Sequence, residues 1–573
     1  MSSESTTPTK LSPVEGIKES SRFLRGTIAE ELANPELDHL SEENKQLLKF
    51  HGSYQQEDRD ARKNRAKAGV GKHYMFMIRL KLPGGRMTAK QYLDMDRIAG
   101  ELANGTLRLT TRQSIQLHGI LKANLKPTIV GINETLLSTL GACGDINRNV
   151  MSCPAPFVND PVRNQMNQLC DAIAEHLAPR TKGYFDVWLN GEHVAGGDGA
   201  EEFEPIYGKV FLPRKFKIGF SLPNDNCVDI YAQDLGFLAI VEDGKPIGYN
   251  VMVGGGFGRT VGKPETFAVL SKGICFATPD QVVAAAEAVV KLYRDHGNRG
   301  DRKRARIKYL VADWGVEKFR EVLAGYLPFP LVLPKDAPIT GVDLHHGWQP
   351  QGDGKWFLGL SIQNGRIKDE DQMRLRSGLR DIVATFQTDV RITPQQDVLL
   401  CNIETANRAA IDSKLAEYGI PRPETLSVLR KFSMACPAIP TCSLAISESE
   451  RALPALIDTF EKELAEMGLG DEAISIRMTG CPNGCARPYN SDIGLVGRSG
   501  EKYTVYVGGG TLGDRLNFIL KDLVLRDQII PTLKPLLERF KAERQPGEGF
   551  GGFCARLGMD TVRAMVGAEA PAH

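Results

Sequence analysis

No apolar run in the chain approaches the ~18 residues that crossing a bilayer requires, so no membrane partner is expected. Surplus charge is also missing. The 71 Lys and Arg are balanced by 70 Asp and Glu, a formal net charge of +1. Such balance argues against a general binder of nucleic acid or membrane surfaces, and leaves room for a small anion held by a local basic cluster. The opening stretch MSSESTTPTKLSP (1–13) has neither the apolar heart of a secretory leader nor the arginines of a transit peptide. A cytoplasmic location is therefore expected. In that compartment thiols stay reduced, so the eleven cysteines read as metal ligands or core residues and not as disulfides. Neither GGGFG (254–258) nor GGGTLG (508–513) fits Gly-x-Gly-x-x-Gly or a phosphate loop ending in Lys-Ser/Thr, so no NADPH or flavin site is legible.

What is present is a globular composition, 42% hydrophobic and 25% charged over 573 residues. At roughly 100–200 residues per domain, this length suggests about three to five units. The first ~70 residues are polar and irregular, and HGSYQQEDRDARKNRAKAG (51–69) reads as a solvated arm wrapping the surface.

Beyond it the chain repeats itself. FMIRLKLPGGRMTAKQYLDMDRIAG (76–100) resembles FLGLSIQNGRIKDEDQMRLRSGLRD (357–381), each reading as strand, Gly turn and amphipathic helix. TLRLTTRQSIQLHGI (106–120) resembles DVRITPQQDVLLCNI (389–403), and MSCPAP (151–156) resembles MACPAIP (434–440), both 283 residues on. NVMVGGGFG (250–258) pairs with TVYVGGGTLG (504–513), and DLGFLAIVEDGK (234–245) with DIGLVGRSGEK (492–502). Matched blocks in one order imply an internal duplication, with two α+β halves about a pseudo-two-fold axis. Residues 280–294, DQVVAAAEAVVKLYR, have helical spacing. The expected division is an arm over 1–70, half-domains over 71–160 and 336–430, and larger α/β domains over 161–335 and 431–573.

The cysteines are not duplicated. Cys153 matches Cys436, but the block aligned with GCPNGC is FSLPND (220–225), without cysteine. A cleft where two halves meet is a usual ligand site. In the second half, CPAIPTC (436–442) and CPNGC (481–485) present Cys436, Cys442, Cys481 and Cys485. Four soft thiolates suit a cubane iron–sulfur cluster, and Pro and Gly suit loops turning closely around it. A structural zinc remains an alternative, although Cys-x5-Cys lies outside the usual x2–4 knuckle. So do four unrelated core cysteines. Cys143, Cys170, Cys227, Cys275, Cys401 and Cys554 show no ligand spacing and read as small buried hydrophobes.

With the duplicated LRLT-T-RQ-x-Q-x-HG block, these cysteine motifs resemble the sirohaem-dependent sulfite and nitrite reductases. The resemblance covers almost the whole chain, from FHGSYQQEDRD (50–60) to GEGFGGF (547–553), and LRGTIAEEL (24–32), LPRKFK (212–217), SMACPAIPTC (433–442) and TGCPNGC (479–485) carry its nearest likeness. It is nearest to the assimilatory, NADPH-linked haemoprotein branch. It implies ferredoxin-like half-domains, one [4Fe–4S] cluster on the four cysteines and one sirohaem, with Cys485 bridging cluster and haem iron. The implied reaction is the six-electron reduction of sulfite to sulfide in cysteine biosynthesis, with nitrite to ammonia as the rival. Lys217 favours sulfite, because nitrite reductases of the family tend to have Asn there. By resemblance Arg79, Arg148, Lys215 and Lys217 hold and protonate the substrate, Arg108 and Arg112 meet sirohaem carboxylates, and Gln116 and Asn483 lie beside the cofactors. On an extended segment Lys215 and Lys217 share one face, and adjacent ammoniums depress each other's pKa. His118 reads as a core or second-layer residue. The basic run NRGDRKRARIKYL (298–310) reads equally as a solvated helix face or as cofactor contacts. The resemblance further raises a covalent link between Tyr54 and Cys153, as in some ferredoxin-dependent relatives. The electron donor is expected to be an NADPH-dependent flavoprotein subunit, with ferredoxin as the alternative. A protein without catalysis, binding only zinc or passing electrons, is the rival from another class.

Overall fold

A computed structural model of the chain describes residues 10–180, 186–189, 192–196, 204–260 and 262–568. Most of the Ser/Thr-rich start, residues 1–9, lies outside the described residues. No described helix is long and apolar enough to cross a membrane.

The duplication is visible as two interlocked half-domains. In the first sheet the order is Ser53–Glu57, Tyr74–Arg79, Ile115–Ile120, Leu107–Leu109, then Arg366–Ile367 from the other half. In the second it is Gly347–Pro350, Trp356–Leu360, Val398–Ile403, Asp389–Ile392, then Arg86–Met87 from the first half. Each sheet thus borrows its last strand: Arg366 pairs with Arg108, and Arg86 with Arg391. Exchange of edge strands leaves no exposed edge at the junction and merges the half-domains into one core, where Ile98 and Leu107 join Leu379 and Ile382. Helix Ala89–Leu102 begins at a capping box between Thr88 and Gln91, which satisfies two otherwise orphaned backbone donors. It buries Tyr92, Met95, Ile98 and Ala99 at three- and four-residue spacing.

The two larger domains also repeat. Strand Ile218–Ser221 runs parallel to Leu235–Glu242, as Ile476–Thr479 runs parallel to Ile493–Ser499. Lys245–Val253 and Lys502–Val507 then turn back antiparallel. The registers agree: 476 − 218 and 493 − 235 both give 258. Met151 makes a single parallel bridge to Gly219 where Met434 pairs with Arg477 in the short strand Met434–Ala435. This register corrects the sequence alignment. The counterpart of residues 480–485 is 222–227 and not FSLPND, so Cys227 stands opposite Cys485.

Three further expectations change. The first half-domain is expected over 71–160, but within it Asn147 and Met151 pair with Phe216 and Gly219 of the next domain. The arm is not merely solvated: Ser53–Glu57 forms a sheet edge, and the Arg59 backbone N–H donates to the Pro440 carbonyl. The helix expected over 280–294 runs Val282–His296, after a 3₁₀ turn at Pro279–Gln281.

Candidate active site: four cysteines and a basic cavity

Cys436 follows the strand Met434–Ala435, and Cys481 and Cys485 follow the parallel strand Ile476–Thr479. Adjacent parallel strands end side by side, so both cysteine loops leave the sheet at one point. Gly484 has φ 64, and a Cβ there would meet the Tyr489 ring at 2.7 Å, so the turn between Cys481 and Cys485 admits only glycine. The Gly480 N–H donates to Cys436 Sγ at 3.4 Å, and Asn483 Nδ2 donates to Cys481 Sγ at 3.5 Å. Arg59 of the arm clasps the other loop by donating to the Cys442 carbonyl at 3.1 Å.

The four thiols sense one another. Burial, then the charge of Cys485, raises Cys436, raises Cys442, and pushes Cys481 up to about 11. They are nevertheless too far apart for one ion. Among the described residues, the group of three or more ligand side chains whose donor atoms lie within 4.8 Å of one another is a different one: Cys153, Asp225, Cys227 and His345. Four thiolates on a tetrahedral zinc would sit about 3.8 Å apart, from the ~2.3 Å Zn–S bond. Wider, convergent thiols fit the corners of a cubane cluster, one per iron.

Cys485 is the exposed member of the four. It opens onto a cavity lined by Arg112, Lys215, Lys217, Arg306 and Asn483. Phe216 packs its ring on Tyr293 at 5.7 Å, in the core, so the alternating Lys215 and Lys217 face the cavity together. Burial, aided by Arg148, Arg214 and Arg306, lowers Lys215 to about 7. Burial, then Arg112 and Lys215, lowers Lys217 well below the usual lysine range. Among the described residues neither lysine has a carboxylate within ion-pair reach. A half-buried cavity with two lysines and several guanidinium groups, and without a carboxylate on either lysine among the described residues, suits an anion, whose arrival would favour the charged form of both lysines. Arg112, lowered to about 9 by burial, is anchored by donating to the Asn149 and Ile218 carbonyls at 3.0 and 3.2 Å.

Arg79 and Arg148 meet around Tyr54. The Arg79 guanidinium lies 6.0 Å from the Tyr54 ring and donates to Cys143 Sγ at 3.1 Å; Arg148 Nη2 donates to Tyr54 Oη at 3.5 Å. Burial opposes the Arg148 charge, but Tyr54, Cys143 and Asp145 outweigh it and raise its pKa. Gln116, opposite Arg79 in the sheet, accepts from Arg79 Nε at 3.0 Å once its amide is turned. Cys143 is thus the thiol beside Tyr54, and its charge is the largest electrostatic influence on that phenol after burial. Cys153, expected there, instead lies 3.1 Å from Asp225 and 3.3 Å from His345.

Arg108 also differs from its expected role as a carboxylate clamp. It is wholly buried, and its nitrogens donate to Glu450 Oε2 at 2.8 Å, the Ala435 carbonyl at 2.8 Å and the Leu109 carbonyl. It fastens the half-domain to the cluster domain. Burial opposes the Glu450 charge, but Arg108 and Arg366 outweigh it and hold its carboxyl at about 2. His118 is buried, and burial with Arg366 lowers it well below the usual imidazole range. The basic run is neither of its two expected forms throughout. Its helix starts only at Ile307, and Arg299, Arg302 and Arg304 pair with Glu15, Asp145 and Asp313. Arg306 reaches the cavity while paired to Asp234 at 2.7 Å. Arg59, Cys143 and Glu450 carried no local signal in sequence, since each acts across more than 60 residues of chain.

Residues 143–331 and 432–573 match the family model described as nitrite and sulphite reductase 4Fe-4S domain. Residues 69–134 and 349–418 match the nitrite/sulfite reductase ferredoxin-like half domain. The chain belongs to the nitrite and sulphite reductase family. Among curated members, it is 46% identical to the "sulfite reductase [NADPH] hemoprotein beta-component" of Paenibacillus sp., over 96% of this chain and 95% of that one. It is 44% identical to the "sulfite reductase [ferredoxin]" of Synechococcus elongatus, over 98% and 92%. Among solved structures, the Mycobacterium tuberculosis NirA protein superposes with a TM-score of 0.79 at 25% identity, covering 96% of this chain and 98% of NirA. The half-domain matches and this superposition bear out the duplicated α+β fold.

Proposed function

We propose that the chain is the haemoprotein component of an assimilatory sulfite reductase, reducing sulfite to sulfide with a [4Fe–4S] cluster and a sirohaem. The observation that carries this reading is Cys485, exposed at the mouth of a cavity whose two lysines have no acidic partner among the described residues. The relatives named above as sulfite reductases support the substrate. When bound, the cluster on Cys436, Cys442, Cys481 and Cys485 and the sirohaem would relay the six electrons from a donor protein to the anion.

The chain's own residues bind the anion and move protons. Lys217 and Lys215 attract sulfite, and their charge is stabilised by its arrival because burial otherwise disfavours it. Three oxygens must leave as water, which takes a repeated supply of protons. Lys215, at about 7, gives and regains a proton near neutrality at little cost. Arg148 and Arg79 orient the anion beside Tyr54. Arg112, Arg306 and Asn483 line the same cavity as Cys485 and are the candidates for meeting sirohaem carboxylates.

An electron-donor protein is required, since no dinucleotide loop is present in the sequence. An NADPH-dependent flavoprotein subunit is favoured by the naming of several relatives. Steady-state turnover of sulfite and nitrite, each with a flavoprotein donor and with ferredoxin, tests the whole reading. The expected result is a higher kcat/KM for sulfite and faster turnover with the flavoprotein. A much higher kcat/KM for nitrite would assign the chain to the nitrite branch instead.

A further inference from the structure

The half without the cluster has a ligand set of its own. Strand register places Cys227 opposite Cys485, and Cys153 stands opposite Cys436. In the cluster half these two loops hold four thiols. In the other half Cys153 and Cys227 are joined by Asp225, which stands opposite Asn483, and by His345 from the segment entering the second half-domain. All four are buried, and their donor atoms lie within 4.8 Å of one another.

The separations suit one small ion. Cys153 Sγ is 3.1 Å from Asp225 Oδ2 and 3.3 Å from His345 Nε2, and those last two atoms are 3.2 Å apart. The edges of a tetrahedral zinc site with sulfur, nitrogen and oxygen ligands are about 3.2–3.8 Å. The outer shell is in place. His345 Nδ1 faces Asp343 Oδ2 at 3.3 Å, which directs Nε2 inward as an acceptor. Asp225 Oδ1 accepts from the backbone N–H groups of Cys227 and Asp343 at 3.3 and 3.2 Å, leaving Oδ2 for the site. Arg163 donates to Asp225 Oδ2 at 3.0 Å and to Cys153 Sγ at 3.3 Å. Two thiolates and a carboxylate around a divalent ion leave one negative charge, which this guanidinium offsets. The mixed sulfur, nitrogen and oxygen set excludes the hard cations magnesium and calcium, and its tight spacing excludes a cubane.

We propose that Cys153, Asp225, Cys227 and His345 form a structural zinc site at the pseudo-two-fold counterpart of the cluster. The site ties together three segments distant in sequence. One of them begins at Lys215 and Lys217, passes along strand Ile218–Ser221 and ends at Asp225 and Cys227. A fixed end of this strand holds both cavity lysines in register. The inference rests on this geometry alone and is independent of the choice of substrate.

The test is zinc and iron measured together on the holoenzyme purified from zinc-supplemented cells. The expected result is one zinc per chain beside the full cofactor iron. Zinc-edge X-ray absorption should show two sulfurs at about 2.3 Å and two nitrogen or oxygen atoms at about 2.0 Å. Cys227→Ser should lower zinc at least about tenfold with iron kept, and Cys442→Ser should do the reverse. An iron-replete wild-type chain that lacks zinc and takes up none from added Zn(II) would overturn the proposal. So would zinc bound by three or four sulfurs, or a Cys153–Cys227 disulfide seen by peptide mass. The wild-type measurements decide the matter even if the variants do not fold.

Discussion

Two equivalent loops, 222–227 and 480–485, leave equivalent parallel strands and serve different ends. The cluster-side loop is Gly-Cys-Pro-Asn-Gly-Cys and stays close to its neighbours because Gly480 and Gly484 leave no side chain in the way. Its counterpart is Leu-Pro-Asn-Asp-Asn-Cys, with one thiol and an aspartate turned into a tight buried group. The same contrast holds one layer out. Arg108 is buried and reaches the Ala435 carbonyl, and with Arg366 it encloses Glu450. Arg391, its counterpart, reaches the Pro154 carbonyl, while Arg86, the counterpart of Arg366, pairs with the exposed Asp171. Pseudo-symmetry is therefore kept in the backbone pairing and lost in the charges, and the difference lies where wide-set thiols must be held rigidly.

The sharpest way to break this comparison is Cys485→Ser. We expect the coupled haem–cluster spectrum and sulfite turnover to be abolished, as read from the absorption spectrum and iron content. Survival of both would make the four thiols equivalent and Cys485 unremarkable. Next in size, Glu450→Ala leaves two guanidinium groups without their carboxylate, Arg108 wholly buried, and should cost about 3–5 kcal/mol in urea unfolding. Asp171→Ala, on the pseudo-symmetric side, should cost less than about 1 kcal/mol because its pair is open to water. Equal costs would mean that the two junctions do the same work.

Lys217→Ala removes the cavity amine that is charged when the anion binds and should lower kcat/KM for sulfite by roughly 10²–10³, with sirohaem content little changed. Parallel loss of haem would make Lys217 a cofactor residue. The smallest effect concerns pH. A lysine whose pKa is lowered to about 7 holds its proton below that pH and loses it above. The ratio of kcat/KM for wild type over Lys215→Arg should therefore fall as pH rises through about 7, by up to about tenfold per unit. Sulfite's own ionisation cancels in that ratio. A flat ratio would remove Lys215 from proton delivery.

Motifs built from neighbouring residues were legible. The Cys-x5-Cys and Cys-x3-Cys loops and the shared face of Lys215 and Lys217 lie within a few residues, where chain geometry alone relates one side chain to the next, and the duplication shows as matched blocks in the same order. Partners across the fold were not legible. Arg108 is expected from the resemblance to meet sirohaem carboxylates, whereas its guanidinium donates to Glu450, 342 positions away. The basic run from 298 to 310 looked uniform, yet acids from four separate segments divide it. Cys143 and Cys227 looked like core residues because their companions are distant in the chain: Arg79 is 64 positions from Cys143, and Cys227 keeps company with Cys153 and His345.

By itself the sequence determined that two α+β halves repeat, that one carries four cluster thiols, and that a basic segment precedes an equivalent strand in the other. These follow from local spacing, which a folded chain preserves. Only the tertiary structure decided which charges remain unpaired at the cavity, which thiol stands beside Tyr54, and that Cys227 answers to Cys485. Those depend on strand register and on contacts between halves, and a shift of two residues in an alignment conceals them.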